Sequence, residues 1–178
     1  MKKDFITPAV ALTLVCLVMS AALAFGNSIT KPVIEQAAAE RAQSARLEII
    51  PEADGFEPLE LDSLPRSVTE VYAATNNAGY IFMVTTPGYG GEIKLICGVD
   101  PNGRIIRSKV LSHTETQGLG TIVFDRSAEY EGLDKNLEGI NAIAGSTITS
   151  SAYKSGIEDA LAAFDIIKIT EITEEGES

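Results

Sequence analysis

Hydrophobic and polar positions along the chain fall into three regimes, each predicting a different kind of element. The first is unbroken. Residues 6–25, ITPAVALTLVCLVMSAALAF, are 20 residues without a charge. At a rise of about 1.5 Å per residue, a helix of that length covers about 30 Å, the hydrocarbon thickness of a bilayer. Lys2 and Lys3 precede it, so the positive-inside tendency keeps residues 1–5 cytoplasmic and exports everything after Phe25. A cleaved signal peptide is the rival reading, because Ala22-Leu23-Ala24 has the small-x-small form, but the apolar run exceeds the usual h-region. A lipoprotein signal lacks its small residues, since Leu14 and Val15 stand before Cys16. The retained anchor is the reading carried forward.

The second regime, residues 26–66, is polar and mixed. SITKPVIEQAAAERAQSARLEII predicts a stalk helix, with Pro32 suited to a first helical position and an Ala-rich run of strong helix propensity up to Leu47. Pro51, Gly55, Pro58 and Pro65 make 51–66 a loop.

Alternation begins at residue 67. SVTEVYAAT and YIFMVTT read as strands around the turn Asn76-Asn77-Ala78-Gly79. In EIKLICGV the residues Ile93, Leu95, Cys97 and Val99 share one face. Asp100-Pro101-Asn102-Gly103 is a tight reversal that returns the chain as RIIRSKVL. The period then changes to a helical one. Tyr153, Ile157, Leu161 and Phe164 predict an amphipathic helix from about Thr149 to Ile166. The expected organisation is a cytoplasmic N-terminus (1–5), a transmembrane helix (6–25), a stalk helix and loop (26–66), one extracytoplasmic domain (67–168) and a frayed acidic tail (169–178). The fold class is α+β, a mainly antiparallel sheet with flanking helices.

Composition narrows the function. The chain has 178 residues and a net charge of −11, which repels nucleic acid. With Lys2, Lys3 and Asp4 set aside, residues 27–178 hold 12 Lys/Arg and 24 Asp/Glu, a net charge of −12. A single histidine, His113, excludes a His-rich metal site, and the two cysteines form no zinc pattern. Export would separate Cys97 from the membrane-embedded Cys16, so no disulfide within the chain follows. Cys97 reads as a buried strand cysteine, a Cys97–His113 catalytic pair being the alternative.

Three stretches could carry chemistry. In IAGSTITSSAYKSGIEDAL, five hydroxyls (Ser146, Thr147, Thr149, Ser150, Ser151) follow Gly145 where one N-cap would start the helix. The stretch is either an anion cradle at a helix N-terminus or an over-supplied cap. No Lys follows in the P-loop manner, so a nucleotide triphosphate site is unsupported. In HTETQGLGTIVFD, Gly118 and Gly120 allow unusual backbone angles or close ligand approach beside His113, Glu115 and Thr116. The bland reading is a polar loop with a hydrogen-bonded His–Glu pair. TTPGYGGEI, a Gly-rich turn around Tyr89, is explained equally by a hairpin connection.

In combination they are more specific. GYGGEI, a strand pair joined by DPNG, HTETQGLG and then AGSTITS with its helix occur in that order. The series resembles the extracytoplasmic FMN-binding domain found in the G subunit of the Rnf electron-transport complex and the C subunit of the sodium-pumping NADH:quinone reductase. The resemblance covers Tyr72 to Phe164. It implies FMN joined through a phosphoester to a threonine hydroxyl, here Thr147, by a flavin transferase acting after export. It further implies that Glu115, Thr116, Gly118, Leu119 and Gly120 line the flavin, with Gly145, Ser146 and Thr149 around its phosphate. Ala144, Ser146 and Gln117 stand where the family pattern has Ser, Ala and Pro, and Asn141 where Asp is common. Ser146 adds a competing hydroxyl. The implied protein is an electron-relaying subunit of an ion-translocating ferredoxin:NAD oxidoreductase in the cell membrane, with other membrane subunits as partners and no catalysis alone. The shortness of the stretch before the sheet favours the G subunit over the C subunit. A standalone extracellular flavoprotein and a non-redox anchored binding module are the remaining readings.

Overall fold

A computed structural model describes residues 2–61 and 63–176, and their side chains except those of 2–11, 29, 32–39, 41 and 171–176. The chain divides into two units, residues 1–44 and 45–178. A single helix, α1, runs from Lys2–Ile49. The expected break between a membrane helix and a stalk helix beginning at Pro32 is therefore corrected to one continuous helix. Proline's fixed φ suits helical geometry, and its cost is a lost backbone bond and crowding of its ring against the carbonyl one turn back. Just before it, Ser28 Oγ donates to the Phe25 carbonyl at 2.8 Å and Thr30 Oγ1 to that of Gly26 at 2.9 Å. Such bonds one turn back leave the hydroxyls compatible with a helix interior. Among the described residues no helix is long and apolar enough to cross a membrane. The first part of the expected span, residues 6–11, lies outside the described side chains. From Leu12 to Phe25 the large apolar side chains are all more than half exposed.

The second unit holds a five-stranded antiparallel sheet in chain order: β1 (Phe56–Pro58), β2 (Val68–Ala74), β3 (Tyr80–Pro87), β4 (Glu92–Val99) and β5 (Ile105–Ser112). β2 to β5 match the alternating segments within a residue or two. β1 corrects the loop expected over 51–66, pairing Phe56 with Ala74 and Pro58 with Tyr72. Its proline is tolerated because the strand is an edge, where no ladder donor is required on the outer side. Asp100 makes the β4–β5 turn by accepting at Oδ1 from the amides of Asn102 and Arg104, at 2.8 and 2.9 Å.

Both faces of the sheet are covered. Val71, Phe82, Val84, Leu95, Cys97 and Val99 face the last helix, α2 (Thr147–Gly176), whose Tyr153, Ile157, Leu161, Phe164 and Ile167 complete that core. Ala74, Ile81 and Ile96 face the other way, onto Ala45, Ile49, Ile50 and Ala53. This double burial explains why β4 reads less as strict alternation than as a continuous apolar run. Gly98 is needed for the second layer, since a Cβ there would lie 2.3 Å from Ile49 Cγ2. α2 continues to Gly176, so the acidic end is helical where a frayed tail was expected, residues 177–178 lying outside the described ones.

Candidate functional site

Three segments far apart in sequence meet above the C-terminal end of β3. They are the β3–β4 turn, the segment after β5, and the start of α2. The turn closes with Gly88 N–H donating to the Gly91 carbonyl at 2.7 Å, leaving Tyr89 72% exposed at its tip. Thr114 Oγ1 donates to the Gly90 carbonyl at 2.9 Å. Next to it, the Gly90 amide donates to Glu115 Oε1 at 2.9 Å. The other oxygen of that carboxylate, Oε2, accepts from Thr149 Oγ1 at 2.7 Å, within the first turn of α2. Glu115 is buried at 7% exposure and ties the three segments together. Its packing requires glycines around it: a Cβ at Gly88 would sit 2.3 Å from Oε1, and one at Gly120 would sit 2.8 Å from Oε2.

The five hydroxyls at the start of α2 divide cleanly. Gly145 turns the chain with φ +85. Ser146 is buried, and its Oγ donates to the Leu119 carbonyl. Thr149 is spent on Glu115, and Ser150 Oγ accepts from the Ile143 amide at 3.1 Å. Thr147 and Ser151 are exposed, with no hydrogen bond to any described residue from their hydroxyls. The first backbone bond of the helix runs from Ser150 N–H to the Ser146 carbonyl at 2.8 Å. The amides of Thr147, Ile148 and Thr149 are thus the free donors of the helix start, where the dipole favours an anion.

Between these segments lies a cleft of about 370 Å³. Of the nine residues singled out in the sequence, Glu115, Thr116, Leu119, Gly120, Gly145, Ser146, Thr147 and Thr149 line it. Gly118 does not: its φ of +77 serves the turn, and a side chain there would meet nothing within 4 Å. Tyr89 and Ile148 also line the cleft, a role the sequence pattern does not assign to them. Tyr89 was visible only as the tip of a Gly-rich hairpin turn, and Ile148 as the one apolar residue among hydroxyls. Together with Leu119 they give the cleft exposed apolar lips, at 72%, 57% and 53%.

His113 is placed beside the cleft and not in it. Its Nδ1 accepts from the Glu115 amide at 3.2 Å, and its ring lies 4.9 Å from that of Phe124. The expected His–Glu pair is therefore formed by the Glu115 backbone, because the carboxylate is already committed on both oxygens. Cys97 is fully buried, its thiol against the Gly98 carbonyl at 4.0 Å, and burial pushes the thiol up to about 12. It is a packing cysteine, as its strand position suggests. Among the described residues no cluster of His, Cys, Asp or Glu could hold a metal ion.

A flavin mononucleotide offers a phosphate, a polar chain and a flat, largely apolar ring. The free amides of the α2 start suit the first, and the lips of Tyr89, Leu119 and Ile148 suit the last, so the residues present fit such a group. The sequence agrees: residues 88–162 match the FMN-binding domain family. The class of the protein is thereby set as one carrying an FMN-binding domain. Over most of its length the chain is similar to the G subunit of an ion-translocating oxidoreductase complex of Stutzerimonas stutzeri, 30% identical over 181 residues, 86% of this chain and 78% of that one. It is also 28% identical over 165 residues to the G subunit of the proton-translocating ferredoxin:NAD(+) oxidoreductase complex of Clostridium ljungdahlii, 84% of this chain and 86% of the other. The Na(+)-translocating counterpart of Acetobacterium woodii is 28% identical over 180 residues, at 83% and 85%. The chain belongs to the family of G subunits of ion-translocating oxidoreductase complexes.

Proposed function

We infer that this chain is the flavoprotein subunit of an Rnf-type ferredoxin:NAD oxidoreductase, carrying FMN on Thr147 through a phosphoester and relaying electrons between redox centres of its membrane partners. The observation that carries the reading is the sorting of the hydroxyls. Among the described residues Thr147 alone combines an exposed, uncommitted hydroxyl with a position on the cleft and on the amide-rich helix start. Ser146, the competing nucleophile in sequence, is buried and donates to Leu119.

In this reading the first-turn amides hold the phosphate, and Leu119, Ile148 and Tyr89 hold the ring away from water. The flavin supplies one- and two-electron chemistry, while the protein supplies position and electrostatics. A covalent tether also answers a charge problem. A domain of net charge −12 repels a free anionic cofactor, so attachment by a flavin transferase retains what affinity alone would hold weakly.

Residues 6–25 serve as the membrane anchor, with the N-terminus cytoplasmic and the domain outside. The exposed apolar side chains from Leu12 to Phe25 support that role. The test is to produce the chain beside an active transferase and read in-gel fluorescence after denaturation. Wild type and Ser146→Ala fluoresce, and Thr147→Ala does not. Fluorescence retained in Thr147→Ala and lost in Ser146→Ala would move the attachment to Ser146. A wild type that never fluoresces would leave an anchored module without a covalent flavin.

A further inference from the structure

Among the described residues Glu115 is the one acidic side chain on the cleft, and its carboxylate is held by a hydrogen bond on each oxygen. Both contacts are donated into it, one from the Gly90 amide and one from the Thr149 hydroxyl. Among the described residues no Lys, Arg or His forms an ion pair with it. Burying a carboxylate without a cation is costly, and two neutral donors offset only part of that cost. A strut between three segments needs no charge, because a glutamine of the same shape reaches both partners. Its carbonyl would accept from Gly90, and its amide would donate to the Thr149 oxygen. What the glutamate adds over that isostere is a fixed negative charge on the wall of the cleft.

We propose that Glu115 is a redox-tuning residue that lowers the reduction potential of the flavin held in this cleft. Each electron added to a group beside a fixed negative charge meets repulsion, which favours the oxidised form. The inference rests on the cleft being the flavin site, as proposed above. Thr149 sets the strength of the effect, since its hydroxyl draws off part of the carboxylate's field. Removing the charge and removing that donor must therefore move the potential in opposite directions.

The experiment uses the full chain, produced with the transferase, purified in detergent and titrated with dithionite against reference dyes while flavin absorbance is read. Glu115→Gln should shift the midpoint potential to more positive values, and Thr149→Val to more negative ones. A second readout uses the chain made without transferase: amide exchange over residues 88–91 should match wild type in Glu115→Gln and quicken in Glu115→Ala. Potentials unmoved in both variants, or moved the same way, overturn the tuning role. So does quickened exchange in Glu115→Gln, which would trace its shift to a loosened turn. Should Glu115→Gln not fold, the sign of the Thr149→Val shift decides. A wild type that binds no flavin overturns the functional reading and this inference together, whereas bound flavin with unmoved potentials overturns the inference alone.

Discussion

Gly118 and Gly120 look alike in sequence, two glycines in GLG, yet alanine should fail at each for a different reason. At Gly120 the backbone is ordinary, with φ −69 and ψ −39, so alanine meets no conformational penalty and gains about 0.4–1 kcal/mol from a stiffer unfolded chain. Its methyl group, however, would lie 2.8 Å from both Cβ and Oε2 of Glu115. Glu115 cannot swing aside without releasing Gly90 and Thr149, so the overlap is absorbed by displacing the strut. Overpacking of this kind costs about 1–3 kcal/mol, leaving a net loss of up to about 2.5 kcal/mol. At Gly118 nothing lies within 4 Å, but φ is +77, and a left-handed alanine costs about 1–2 kcal/mol. The two variants thus lose similar stability in urea titrations of the chain in detergent. Hydrogen exchange separates them. Gly120→Ala should quicken exchange in the turn at 88–91, more than 20 residues away, whereas Gly118→Ala should leave it at the wild-type rate. A Gly120→Ala protein as stable as wild type with slow exchange at 88–91 would refute the strut.

Other consequences follow from the same geometry. Ser146→Ala removes a part-buried bond to the Leu119 carbonyl, which should cost about 1 kcal/mol in urea without loss of flavin. Cys97 should resist iodoacetamide at pH 8 in the native chain and react fully in urea, as read by peptide mass spectrometry. Because its folded pKa is raised, the stability it contributes is full below the unfolded value of about 8.5 and falls as pH climbs toward about 12. The slope from this group is at most about 1.4 kcal/mol per pH unit and should flatten in Cys97→Ala. A C-terminal reporter should be active only outside the cytoplasm, and cytoplasmic activity would overturn both the anchor and the route to flavin attachment.

The strands were legible because their ends carry turn chemistry that acts locally. Asp100, Asn102 and Gly103 place β4 and β5 by bonds within five residues of one another, so sequence pattern suffices. β1 escaped because three residues show no period and Pro58 argues against a strand until the edge is known. The continuity of α1 escaped for the opposite reason. Gly26 and Pro32 are local breaking signals, and propensity on both sides of them outweighs what they cost. The second core layer was hidden too, since nothing in Ile81 or Ile96 states which partner covers it.

At the site the limit is one of sequence separation. The hydroxyl cluster and the glycines mark where a site is built, and their positions are legible because each needs a special residue type. Which hydroxyl remains available is decided by partners 27 and 34 residues away, Leu119 for Ser146 and Glu115 for Thr149. No local pattern contains that information. Ser146 and Thr147 are adjacent, alike in kind as hydroxyl nucleophiles, and both within two residues of Gly145. They differ because one docks into the 113–120 segment and the other is left facing the cleft. The same docking brings Tyr89 to the rim, through a bond from Gly90 to a carboxylate 25 residues on. A single buried glutamate therefore helps fix where the cleft opens and commits one of the hydroxyls beside it, Thr149. Substitutions at Glu115 that shorten the side chain should disturb flavin attachment and flavin potential together, and those that only remove its charge should disturb potential alone.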